Sequence, residues 1–203
     1  MSAMNEDFAA LARFREAAIE WAMGARGQRI VDAAATALAD GLDSPSLRML
    51  AGTSHSTADE EAPEFAPLAF RELGLDVKER LSPDAYVDGA RLEAQRLLDG
   101  VITERELVRG LSRFFAPAGY PTGLSIWAGL EEYYSLIDDG VINVPATVLD
   151  QAARAAAEDL VNHRQGRPVT IASIFQAPAA PPNLRRRWLS RIPGRSPSQR
   201  TKP

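Results

Sequence analysis

Caps, prolines and glycines punctuate the first 163 residues at intervals so short that only a set of modest helices fits between them. Ser44-Pro45 and Ser82-Pro83 each put a hydroxyl at a cap and a proline at the first helical position, where the missing N–H costs nothing. Thr103 followed by Glu106 spells a capping box, in which each side chain satisfies the other residue's backbone N–H. Gly24, Gly41, Gly74, Gly100 and Gly140 stand where apolar stripes run out, the place of a left-handed helix stop.

Between these marks the apolar residues recur at helical spacing. A first helix is expected from an Asn5 cap to about residue 23, with Phe8, Leu11, Arg15, Ala18 and Ala22 near one stripe and Ile19 beside it. Further helices are expected over about 27–40, 45–51, 64–73, 83–99, 103–115, 124–138 and 145–162. Residues 53–63 are polar and read as a loop, and Pro67 shifts the start of the helix around it because proline suits only a first turn. The spacing shows no β-hairpin. The expected fold is all-α, a single compact bundle of about seven to eight helices.

Charge divides the chain more sharply than its net −4 suggests. Residues 1–163 hold 14 Lys/Arg against 27 Asp/Glu, a balance of −13, whereas residues 164–203 hold 9 Lys/Arg and no acid. That second segment is rich in proline and poor in core-forming residues, so it is expected as a mostly disordered basic tail. Val169–Phe175 is its one short apolar run. Leu184, Trp188 and Ile192 fall at i, i+4 and i+8 around Arg185, Arg186 and Arg187; a helix there would suit an anionic membrane surface or a partner groove. Arg164-Gln165-Gly166-Arg167-Pro168 partly matches a minor-groove hook, with glutamine in place of its first core arginine.

Several chemistries lack their residues. The chain has no cysteine, which removes disulfides, thiolate metal sites and cysteine nucleophiles. Its two histidines are His55, in the polar run Thr53–Thr57 near Asp59–Glu61, and His163, at an expected helix end; no Gly-x-Ser-x-Gly elbow accompanies them. The acidic groups Asp59, Glu60, Glu61, Glu64 and Glu131, Glu132, Asp138, Asp139 lack the Glu-x-x-His repeats of di-metal bundles and the spacing of a calcium loop. Gly24-Ala25-Arg26-Gly27-Gln28-Arg29 could cradle an anion before a helix, but it has neither the P-loop lysine nor a preceding strand, so it reads as an interhelical turn. No cofactor or metal is expected. Lacking a signal-like run or a stretch of about 20 apolar residues, the chain is expected to be cytoplasmic.

Two stretches carry a resemblance. Val31–Ala34 with Leu42-Asp43-Ser44-Pro45-Ser46-Leu47-Arg48-Met49-Leu50-Ala51-Gly52, and Ala94–Gly100 with Thr103, Glu106 and Leu107, resemble a family of uncharacterised small helical proteins of actinobacteria. The acidic residues Glu131, Glu132, Asp138 and Asp139 fit the same pattern, which covers about residues 30–140. The shared residues are caps and apolar positions, so the resemblance implies a helical architecture and no activity.

Function is therefore expected at a surface. A non-enzymatic interaction module would engage a protein partner through the acidic helix bearing Glu131, Glu132, Asp138 and Asp139, for example in the manner of an immunity protein or antitoxin covering a basic toxin. The alternatives are a nucleic-acid- or anionic-membrane-associated factor using Arg185, Arg186, Arg187 and Trp188, and an enzyme of unrecognised type centred on Trp127, Tyr133 and Tyr134.

Overall fold

The computed structural model describes residues 2–114, 116–119 and 124–162. Eight helices run through them: α1 Ser2–Ala22, α2 Gly27–Ala39, α3 Pro45–Gly52, α4 Ala58–Glu72, α5 Pro83–Leu98, α6 Glu104–Ser112, α7 Ser125–Asp138 and α8 Ala146–Val161. No strand occurs among the described residues, so the all-α expectation holds. His163, Arg185, Arg186, Arg187, Trp188 and the rest of the basic tail lie outside the described residues.

Local signals set most of the boundaries. Ser44 accepts the Leu47 N–H and Ser82 accepts the Ala85 N–H, each with proline just inside the helix. The Thr103–Glu106 capping box forms in both directions, and such a cap contributes about 1 kcal/mol. Two expectations fail. Helix α1 begins at Ser2, so Asn5 lies inside it. Helix α4 begins at Ala58, which makes helix of residues assigned to a loop and encloses both Pro63 and Pro67. Ala58, Ala62, Ala66 and Ala69 form its buried stripe, while both prolines point to solvent. The backbone bonds that proline forfeits therefore fall on the wet side, where water can replace them.

The helices assemble as two halves. In the N-terminal half α2 packs on α1, α3 and α4, and α3 packs on α4. Its core joins Phe14, Trp21, Ile30, Val31, Leu47, Leu50 and Phe70, with Phe70 tilted against Phe14 and edge-on to Trp21, both at 5.9 Å. The buried residues of α1 are Ala10, Phe14, Ala18, Ile19, Trp21 and Ala22, so Ala18 and Ala22 of the expected stripe and Ile19 beside it are inside, whereas Phe8 at its start is 67% exposed. In the C-terminal half α8 packs on α5, α6 and α7, burying Tyr86, Leu97, Leu107, Leu111, Trp127, Leu130, Tyr134 and Leu149.

Helices α1 and α5 join the halves. Gly89 on α5 lets Met23 approach so closely that a Cβ there would lie 1.6 Å from the methionine sulfur. Beside that seam Arg96 bonds Glu20 at 2.8 Å, Glu16 at 3.2 Å and Glu93 at 2.8 Å, while Glu20 also bonds Arg29 of α2 at 2.7 Å. The segment between α4 and α5 closes over the end of α1: the Leu81 N–H donates to the Ala22 carbonyl at 2.7 Å, and the Arg80 guanidinium lies 5.3 Å from the Trp21 ring centroid. Leu81 takes a positive φ of 63° to do so, a conformation that costs a residue with a Cβ about 1–2 kcal/mol.

Candidate functional site

Helix α7 positions the acidic residues singled out from the sequence. Its inner face buries Trp127, Leu130 and Tyr134. The Tyr134 hydroxyl donates to Asp150 of α8 at 2.5 Å; burial and the neighbouring Asp150 carboxylate push this phenol well above its ordinary range. The Trp127 indole N–H, by contrast, has no hydrogen-bond partner among the described residues, which costs about 1–3 kcal/mol in a buried setting. Both aromatic rings therefore belong to the core.

With that face fixed, Glu132, Asp138 and Asp139 stand exposed and Glu131 half-exposed. Of these, only Asp138 forms an ion pair among the described residues. Arg105, in the first turn of α6, reaches it with both terminal nitrogens and also feels the Glu131 carboxylate. The same guanidinium lies 5.1 Å from the Tyr134 ring centroid. Hydrogen bonding to Arg105 holds the Asp138 carboxyl below the usual carboxylate range, and Asp138 in turn raises the arginine. One residue earlier on α6, Glu104 pairs with Arg154 of α8 at 2.6 Å. These two pairs tie α6 to both neighbours, leaving Glu131, Glu132 and Asp139 without an ion pair among the described residues. Such charges cost little where they are solvated, and they keep their field for an incoming group.

The other candidates resolve into structural roles. The anion place at the start of α2 is filled from within: the Gly27 N–H donates to the Asp59 carboxylate at 2.5 Å. A Cβ at Gly27 would lie 2.2 Å from the Ala58 carbonyl oxygen, so this glycine serves the close approach of α2 and α4. Asp59, Glu60 and Glu61 form the first turn of α4, where carboxylates suit the positive end of the helix dipole. The polar run expected as a loop thus holds a helix start.

His55 is exposed and meets Asp32 of α2 at 2.7 Å, a partner 23 residues away that local sequence did not indicate. Its carbonyl accepts the Gln28 side chain at 3.1 Å. The neighbouring Ser54 and Ser56 hydroxyls bond each other at 2.8 Å, and no serine hydroxyl reaches the His55 ring among the described residues. That geometry ties the α3–α4 loop to α2 and assembles no nucleophile. Among the described residues no three His, Asp or Glu side chains converge as metal ligands, and no helix is long and apolar enough to cross a membrane.

A cleft of about 140 Å³ opens between α1 and α2, lined by Ala10, Arg13, Phe14, Ala33, Thr36, Ala37 and Asp40. The Arg13–Asp40 pair at 2.8 Å occupies its polar side. In comparisons with known proteins, no family model, curated protein or solved structure matches the chain.

Proposed function

We propose that this chain is a non-enzymatic interaction module that engages a protein partner through the outer face of α7, in the manner of an immunity protein or antitoxin covering a basic surface. The observation behind this reading is that Glu132 on α7 and Asp139 just after it are exposed and Glu131 half-exposed, none with an ion pair among the described residues, while the inner face is anchored by Trp127, Leu130 and Tyr134. An anchored helix presents its charges with little ordering entropy left to lose. The balance of −13 over residues 1–163 steers basic surfaces toward it.

Affinity capture from native lysate at moderate salt tests this, using the wild type beside Glu131→Lys/Glu132→Lys/Asp139→Lys. A stoichiometric partner retained by the wild type and lost by the variant is expected. Recovery of the wild type alone, or equal capture by both, would count against the reading.

The charge of residues 164–203 favours a second reading, a factor that binds DNA or anionic membrane through Arg185, Arg186, Arg187 and Trp188. Phosphate contacts make such binding fall steeply with salt. Deletion of residues 166–203 should then abolish retention on DNA or on anionic liposomes at low salt, and absence of binding by the intact chain would end this reading.

A further inference from the structure

Five helices end in the same turn. Gly24, Gly41, Gly74, Gly100 and Gly140 all take positive φ, and the next residue's N–H reaches back five positions. These bonds are Ala25 to Glu20 at 3.0 Å, Leu42 to Ala37 at 2.9 Å, Leu75 to Phe70 at 2.8 Å, Val101 to Arg96 at 2.8 Å and Val141 to Leu136 at 2.9 Å. In this motif the residue after the glycine commonly folds back against apolar side chains. Leu42 and Leu75 do so and pack on the N-terminal core. Val101 and Val141 remain 69% and 59% exposed.

The two outward turns share a sequence, Asp99-Gly100-Val101-Ile102 and Asp139-Gly140-Val141-Ile142. They also share a location. Arg105, just after the first turn, bonds Asp138, just before the second, so both lie at one end of the C-terminal half.

Charge at this end opposes the helices that carry it. A helix C-terminus is the negative end of the dipole, where a carboxylate is unfavourable and a cation favourable. In the N-terminal half such acids are answered within the fold: Arg13 meets Asp40, and the Ser46 N–H and hydroxyl meet Glu72 at 2.9 and 2.7 Å. In the C-terminal half Arg105 answers Asp138, but Asp99 accepts a Gln95 amide at 2.9 Å and Asp139 meets no cation among the described residues. Two negative helix ends, two carboxylates without a cation among the described residues and two outward valines thus lie at this end.

We propose that this end of the C-terminal half is a docking surface for a basic amphipathic helix of a protein partner. Val101 and Val141 cover its aliphatic side chains, while Asp99, Asp139 and the two helix ends meet its flanking Lys or Arg. The inference rests on the α7 reading and narrows it to the place where that helix ends. A second copy meeting this end with its own acidic body is the poorer occupant, because residues 1–163 carry −13 and would set like charges against each other.

The probe is a fluorescein-labelled amphipathic helical peptide of leucine and lysine, with a leucine–glutamate counterpart, titrated against the full chain by fluorescence anisotropy. The lysine peptide should bind, weaken with salt and outcompete the glutamate peptide. Val101→Ser/Val141→Ser should weaken it at least tenfold with an unchanged melting temperature, while Met49→Ser, an exposed apolar control in the other half, leaves it unchanged. Wild-type affinity in the valine double variant would overturn the docking site. If that variant binds normally while Glu131→Lys/Glu132→Lys abolishes binding, the docking site falls and the α7 reading stands. Equal binding by all variants removes both. A wild-type dimer that dissociates in the valine variant, read by sedimentation, would assign the surface to a second copy and overturn the partner.

Discussion

The two halves of the molecule use the same helix-ending turn to opposite ends. In the N-terminal half the residue after the glycine turns inward, and Leu42 and Leu75 close the core over the helices they follow. In the C-terminal half Val101 and Val141 occupy the same place in the same hydrogen-bonded turn and face solvent. The turn itself is therefore neutral about burial. Its backbone bonds satisfy the last carbonyls wherever glycine supplies the left-handed residue, and the chain is left to choose where the next side chain goes.

The largest effect expected from breaking this comparison lies in the N-terminal half, where helices meet with no slack. Gly27→Ala should cost about 3 kcal/mol, the upper range of overpacking, because the added carbon meets the Ala58 backbone carbonyl. Gly89→Ala should cost far less, since the obstructing atoms belong to the Met23 side chain, which can turn aside. Equal losses in urea melts would show that α1 and α5 meet as rigidly as α2 and α4.

Next in size is a test of the turn. Leu75→Ser should destabilise by about 2 kcal/mol through lost apolar burial, whereas Val101→Ser should stay within about 0.5 kcal/mol. Thermal unfolding of the two variants decides it, and a comparable loss at Val101 would mean that valine has a structural role. Tyr134→Phe should follow at about 1 kcal/mol, the value of one hydrogen bond to Asp150, measured by denaturant unfolding.

The smallest effect is on pH. Bonds from the Ser44 hydroxyl and from the Ser46 N–H and hydroxyl hold Glu72 below its ordinary value of 4.5. A carboxylate lowered in this way adds stability above that value and loses it as pH falls toward the folded pKa. Glu72→Gln should therefore be less stable at neutral pH and lose less on acidification, as melting temperatures between about pH 7 and pH 3 would show. An unchanged acid limb would place the acid sensitivity elsewhere.

What the sequence discloses follows the range of each interaction. Ser44-Pro45, Ser82-Pro83 and the Thr103–Glu106 box act within one helical turn, so the starts of α3, α5 and α6 are legible. The beginning of α4 is not, because Pro63 and Pro67 argue against a helix interior and mask the three acids that suit its first turn. The deciding fact, burial of Ala58, Ala62, Ala66 and Ala69, depends on α2 and α3. Phe8 shows the converse: helical spacing places it on a stripe with Ala18 and Ala22, but the neighbours of α1 cover that stripe only toward its end. The acids of α7 are visible in the sequence, whereas the guanidinium that pairs with Asp138 lies 33 residues earlier. The repeated Asp-Gly-Val-Ile is also visible, yet its two copies come to one end only through the packing of α6 on α7.

The seam between α1 and α5 has a chemical consequence of its own. The Met23 sulfur already occupies the space that a single methyl group on residue 89 would need. In a chain without cysteine, methionine is the side chain most open to reversible oxidation. A sulfoxide at Met49, 53% exposed on α3, can point its oxygen into water. At half-buried Met23 the added oxygen arrives beside the joint between the halves, so an oxidant would make that side chain either turn aside or press on the seam.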